Sequence, residues 1–325
     1  MKDDLSWALL VHFGTHMWYD MPWPERERTG TYGGIHDHHF FDYGVWCDWT
    51  NAMAKGGVNT IVVDVGEGVV YPSHPELAVR GSWRADRLHE EVARLKKMGL
   101  EVIPKLTFST THDAWLGEYS HMISTPTYYQ VRDDVIGDVV SIFGKPRWFH
   151  LGMDEETAWH QPPGKQNYCC LRQGELWWHD LFLLLKRVEA LGVRPWVWSD
   201  YIWHHKDEFL SRMPKTTLQS NWYYGSDKID PALHTHENAK LYTGAFQWLE
   251  DAGYDQVPCG STWEKEENFP AIVEWGRTHV PRERLKGFLQ TTWQLTVPQQ
   301  RANVLKAIDI IRRAREEFNR RGYRA

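Results

Sequence analysis

The sequence predicts an α/β fold, a (β/α)8 TIM barrel formed as a single domain over residues 1–325, and three observations carry that expectation. Short runs rich in Val, Ile, Leu, Phe and Trp alternate with amphipathic runs from one end to the other, the pattern of a parallel sheet built from β-α units. Eight of each can be assigned, the number a closed barrel of this kind needs. No low-complexity stretch or Pro/Gly/Ser-rich linker sets one part of the chain apart from the rest.

Taken in order, residues 8–13 are the first strand, on the run Leu9, Leu10 and Val11, followed by a long loop and a helix over 49–55. The second strand, 60–65, is carried by Ile61, Val62 and Val63, and the helix 85–98 after it stops before Gly99, a residue suited to the left-handed backbone past a helix end. Strand 101–108 leads to helix 127–143, with Pro126 at its start where a missing N–H costs nothing. Strand 148–153 leads to helix 175–191, which stops before Gly192. Strands 194–199 and 217–222 alternate with helices 206–212 and 237–251. Strand 256–263, helix 270–278, strand 287–293 and helix 298–320, opened by Pro298, complete the count.

Composition narrows the function. At 42% hydrophobic and 25% charged the chain is globular, and a net charge of -6 gives no reason to expect a nucleic-acid partner. The basic run Arg312, Arg313 and Arg315 is followed by Glu316 and Glu317, as on a solvated helix face. No stretch has the length and apolarity of a membrane span, and Met1 to Trp7 lacks the apolar core of a signal peptide. The expected location is cytoplasmic, or exported if a leader has been removed. Cys47, Cys169, Cys170 and Cys259 have no CxxC spacing and read as thiols rather than a disulfide framework. The excess lies in aromatics: 19 Trp, 14 Tyr and 12 Phe, many at strand exits, where a flat apolar face suits the CH face of a sugar ring. A carbohydrate is the expected substrate; the sequence leaves the oligomeric state open.

Barrel enzymes place their chemistry at the C-terminal ends of the strands. The fourth strand runs Arg147-Trp148-Phe149-His150-Leu151-Gly152-Met153-Asp154-Glu155-Glu156, an apolar segment that ends in three acids. Carboxylates are unwelcome inside a strand, so these lie at its exit. A negative neighbour favours the protonated form of a carboxyl, as a glycosidase acid requires. The alternative is a solvated loop start, the reading taken for Glu156 alone. Other exits supply His16 and Trp18; Asp64 and Glu67; Thr107, Ser109, His112 and Asp113; Trp198, Asp200, Tyr201 and Trp203; Gln219, Asn221, Trp222 and Tyr223; Trp263 and Glu264; and Trp293 and Gln294.

The segment His150, Gly152, Met153, Asp154 and Glu155 resembles the signature of family 20 glycoside hydrolases, the β-N-acetylhexosaminidases. That resemblance implies Glu155 as general acid/base and Asp154 as the group that orients the substrate's 2-acetamido, whose carbonyl oxygen is the nucleophile. It implies His150 as a buttress acting through a hydrogen bond, Trp198, Trp222 and Trp293 as an aromatic box, and no cofactor. Asp200, Gln219, Asn221, Glu264 and Gln294 are further candidates for contact with the sugar. Three places depart from the family pattern: Val11-His12-Phe13-Gly14-Thr15-His16 has no Arg at the first strand's end, Ile103-Pro104-Lys105 has Lys105 and no carboxylate, and Trp293-Gln294-Leu295 lacks a Glu.

Three other readings stay open. Glu155 and Glu264 follow strands four and seven, as do the acid/base and nucleophile of retaining two-carboxylate barrel glycosidases. His36, Asp37, His38 and His39, with His16, His112 and Asp42, could hold a metal, although they lie in a loop without regular ligand spacing. A non-catalytic carbohydrate-binding barrel would keep the aromatic rim, but has little use for two adjacent acids.

Overall fold

The computed structural model describes residues 5–31, 33–157 and 170–323. Eight parallel strands form its centre: β1 (Ser6–His12), β2 (Thr60–Asp64), β3 (Glu101–Lys105), β4 (Trp148–His150), β5 (Arg194–Trp198), β6 (Leu218–Ser220), β7 (Cys259–Ser261) and β8 (Gly287–Thr291). The ladder runs β6-β5-β4-β3-β2-β1-β8-β7. Its two ends meet through parallel bridges from Gln219 to Gln256 and from Trp222 to Cys259, with Val257 N–H donating to Gln219 O at 2.9 Å. The sheet is therefore the expected TIM barrel, with β6 and β7 joined by bridges instead of a continuous ladder.

The helices α1 (Tyr43–Lys55), α2 (Ala85–Lys97), α3 (Pro126–Ile142), α4 (Glu175–Ala190), α5 (Lys206–Arg212), α6 (Glu237–Asp251), α7 (Asn268–His279) and α8 (Arg301–Arg321) surround it. Helix α1 begins six residues earlier than the apolar pattern suggested because Asp42 caps it, accepting the Val45 N–H at 2.8 Å. Pro126 opens α3 behind the cap Thr125. A short helix Pro24–Thr29 lies in the loop after β1, and the pair Val69–Val70 and Trp83–Arg84 follows β2; periodicity signalled none of these.

Side-chain alternation along parallel strands sorts two cores. Trp7, Leu9 and Val11 face the helices in the larger cluster, while Ala8, Leu10, Val62, Ile103, Trp148, Trp196 and Leu218 fill the barrel. The same period carries polar groups inward toward the strand exits. His12, Asp64, Lys105, His150 and Trp196 are successive register partners. Lys105 Nζ bonds Asp64 Oδ2 at 2.6 Å inside the barrel, and also contacts Thr107 Oγ1. The Lys105 that departs from the family pattern thus has a buried counter-ion. Burial, and then Lys105, pushes His12 down to about 3 and His150 well below its ordinary value, so both rings are neutral.

Candidate active site

Beyond His150 the fourth strand leaves the ladder earlier than the sequence pattern predicted. Gly152 (φ 71°), Met153 (φ 73°) and Glu155 (φ 54°) are left-handed, a conformation that turns the chain over the barrel mouth. A Cβ on Gly152 would lie 2.6 Å from Thr107 Cγ2, so only glycine fits there. The turn presents Asp154 and Glu155 into a cavity of about 390 Å³ lined by Met17, Trp18, Tyr19, Thr111, His112, Trp198, Trp222, Tyr224, Trp263, Glu264 and Trp293.

His112 stands between the two acids, Nδ1 3.7 Å from Asp154 Oδ2 and Nε2 3.6 Å from Glu155 Oε2. Its Nδ1 also lies 3.1 Å from Thr111 Oγ1. Asp154 is buried, whereas the Glu155 side chain is 24% exposed toward the cavity. Behind them Asp200 Oδ2 accepts the Glu155 N–H at 2.9 Å, and its Oδ1 lies 3.4 Å from Trp222 Nε1. Burial, and then the charge of Asp154, pushes Asp200 up to about 8. A carboxyl that holds its proton near neutrality is therefore built into the wall beside the acid pair.

Among the sequence candidates, Asp154, Glu155, Trp198, Trp222, Trp293 and Glu264 line the cavity, with Glu264 exposed at its mouth. His150 lies beneath it: Nδ1 accepts the Gly152 N–H at 3.1 Å, and the ring packs 4.5 Å from that of Trp198, so it supports the acid turn from below. Gln219 and Gln294 are not among the lining residues. Gln219 is wholly buried with its amide spent on Ser199 Oγ and Thr217 O. Asn221 bonds Trp203 Nε1 and Tyr242 O, and so holds the wall behind Trp222. Glu67 anchors the loop that brings Met17 to Tyr19 to the mouth, accepting from Thr15 N at 2.7 Å and His16 N at 3.0 Å. Burial alone would raise Glu67, but His16 and those N–H groups outweigh it and hold the carboxyl below its ordinary value.

Glu156 is not the solvated group expected. It is buried and paired with Arg172, its Oε1 2.8 Å from Arg172 Nε, because the turn rotates it away from the cavity into the base of the β4–α4 connection. Trp159, Pro162, Pro163 and Gly164 of that connection, expected to shape the pocket, and Cys169, read as a thiol, lie outside the described residues. Sequence reasoning missed Tyr224 and Arg172; the first was legible as the same-face partner of Trp222 two residues on, the second had no local signal.

The histidine loop is occupied with structure. His39 Nε2 bonds Phe13 O at 2.7 Å and its ring stacks on Phe41, while His36 stacks on Phe40. Among the described residues the group with ligand atoms close enough for a metal is His112, Asp154 and Glu155, all within 4.8 Å of one another, which is the acid site itself. No described helix is long and apolar enough to cross a membrane.

Solved structures share the fold of this barrel. The family 20 exo-β-N-acetylglucosaminidase of Vibrio harveyi, solved with N-acetylglucosamine, superposes with a TM-score of 0.61 at 13% identity over 94% of this chain and 53% of that one. The fold is that of the family 20 glycoside hydrolases. The β-N-acetylhexosaminidase of Streptomyces coelicolor gives 0.60 at 14% identity, covering 94% and 63%, and dispersin B 0.58 at 13%, covering 85% and 96%. This chain thus spans about half the length of the Vibrio enzyme and nearly all of dispersin B. By sequence it is 24% identical to hexosaminidase D of Bos taurus over 273 residues, 73% of this chain and 76% of that protein. No family model matches the sequence.

Proposed function

We propose that the chain is a retaining glycoside hydrolase of the family 20 kind, one catalytic barrel acting on N-acetylhexosaminides. The observation that carries this reading is the side-by-side placement of Asp154 and Glu155, under five tryptophans, in a strand-exit cavity of about 390 Å³. Its size suits a small ligand, and the proteins it resembles include an exo-β-N-acetylglucosaminidase and hexosaminidase D.

Glu155, in its acid form, hands its proton to the glycosidic oxygen as the C1–O bond breaks. Asp154 accepts the acetamido N–H, which pushes electron density onto the carbonyl oxygen as that oxygen closes on C1. Glu155, now a carboxylate, takes a proton from water, whose oxygen opens the ring intermediate at C1 and returns the original configuration. Two displacements at one carbon give retention.

The test is a panel of aryl glycosides given to the wild type and to Glu155→Gln. Turnover confined to N-acetylglucosaminide and N-acetylgalactosaminide, reduced in the variant by about 10²–10⁴-fold, is the expected result; silence across the panel would return the chain to a binding barrel. Glu264, which lines the same cavity, keeps a second reading in play, with Glu264 as covalent nucleophile. A loss of several orders of magnitude in Glu264→Ala, restored by azide, would favour that route, whereas a mild effect leaves the acetamido as nucleophile.

A further inference from the structure

Two residues outside the cavity grip the acid turn from opposite ends of the segment that follows β4. Glu156 stands immediately after Glu155, and Arg172 lies beyond residues 158–169. Both are buried. Glu156 Oε1 accepts the Arg172 backbone N–H at 2.7 Å and Nε at 2.8 Å, while Oε2 accepts Nη2 at 2.9 Å. The remaining arm, Nη1, donates to Asp180 Oδ2 on α4 at 3.0 Å, and Asp180 is itself held by Ser124 and Tyr129. Nη2 also donates to the carbonyl of Phe108, in the stretch that leads from β3 to His112.

A single guanidinium therefore touches the backbone that presents His112 and the side chain adjoining Glu155. A buried ion pair is a poor way to gain stability, since desolvation consumes most of its attraction. What a planar, five-donor fork supplies is direction. Direction is needed here because Met153 and Glu155 are both held at left-handed φ, which only a surrounding framework maintains in residues other than glycine.

We propose that Arg172 and Glu156 are positioning residues that set the apposition of His112 and Glu155, and so the line along which Glu155 delivers its proton. The proposal rests on the reading of Glu155 as the acid. Arg172→Lys keeps the charge and loses the fork; Glu156→Gln keeps one acceptor oxygen and leaves the Arg172–Asp180 pair in place, and a urea midpoint taken beside each variant's kinetics separates misalignment from unfolding. In the full chain, Arg172→Lys lowers kcat on an aryl N-acetylglucosaminide by about a hundredfold with KM little changed, the signature of a misaligned reacting group. Glu156→Gln, the conservative change, loses about tenfold. Amide exchange at Glu155, whose N–H is donated to Asp200, quickens at least about tenfold in both variants while β8 amides keep their protection.

Unchanged kcat with unchanged Glu155 exchange would overturn the proposal, and so would protection lost equally across the barrel, which is what a purely structural pair produces. If the wild type cleaves no glycoside, the functional reading fails by itself; the exchange measurement still decides whether the clasp holds the turn.

Discussion

Asp200 accepts a backbone N–H from Glu155 and faces the charge of Asp154 in a buried site, and that position makes it a reporter of pH. Its ordinary value is 3.8 and the native value about 8, so between these the folded state holds a proton that the unfolded chain has released. Stability therefore falls as pH rises through that window and is flat outside it. Asp200→Asn retains an oxygen for the Glu155 N–H and removes the slope. Urea midpoints of wild type and variant are expected to agree at the acid end of the window and to diverge in favour of the variant toward its alkaline end; curves that stay parallel would mean that Asp200 is ionised throughout. Two tryptophans separate packing from recognition. Trp198 is buried against His150, so Trp198→Ala leaves a hole and costs about 3–5 kcal/mol in chemical denaturation. Trp222 stands half-buried at the wall, where Trp222→Ala is expected to raise KM about tenfold, the value of one ring stacked on an apolar face, with a much smaller change in stability.

At the scale of the element, β4 and its exit turn hold the site in place. The strand contributes only three ladder residues before the chain turns left-handed. Gly152→Ala would place a methyl 2.6 Å from Thr107 Cγ2 and 2.9 Å from Thr107 Cα, at a φ that alanine disfavours. Strain and crowding together are expected to cost about 2–5 kcal/mol, read from a urea transition, with activity falling because Asp154 and Glu155 ride on the same turn. A native-like midpoint would show that the turn can relax. The tight fit also explains why the predicted strand 148–153 was too long. Its apolar residues do continue past His150, but Gly152 must cross Thr107 at close range, and backbone geometry rather than hydrophobicity ends the ladder.

Over the whole molecule, the last helix completes the first strand. Phe318 on α8 packs edge-on to Trp7 at 5.5 Å and against Phe288 at 5.8 Å, and Trp49 Nε1 on α1 bonds the carbonyl of Arg301 at 3.1 Å. Strands β1 and β8 and helix α8 thus share one patch of core, with α1 tied to α8 beside it. Phe318→Ala is expected to lose about 3–5 kcal/mol, and because β1 and β8 are register neighbours, amide protection should fall in both strands together. A loss confined to α8 would show that the helix docks on a barrel already stable without it.

What the sequence determined by itself is the repeating pattern and the place of the acids. Period-two apolar runs and amphipathic helices are local properties, written in residues a few positions apart, so eight β-α units and the exit of Asp154 and Glu155 could be read directly. The rim tryptophans followed from the same rule. What tertiary structure alone decided is which groups meet. His112 reaches both acids from the neighbouring strand exit, Asp200 accepts the Glu155 N–H across 45 residues, and Arg172 crosses 64 residues to the carbonyl of Phe108. Gln219, a strand-exit polar group like the others, is buried instead with its amide spent inside the barrel wall. Glu156 reads as a loop carboxylate in sequence and becomes a buried counter-ion in the fold. Periodicity records which side of an element a residue faces; partners that converge from separate elements depend on how the barrel closes, and no local pattern carries that information.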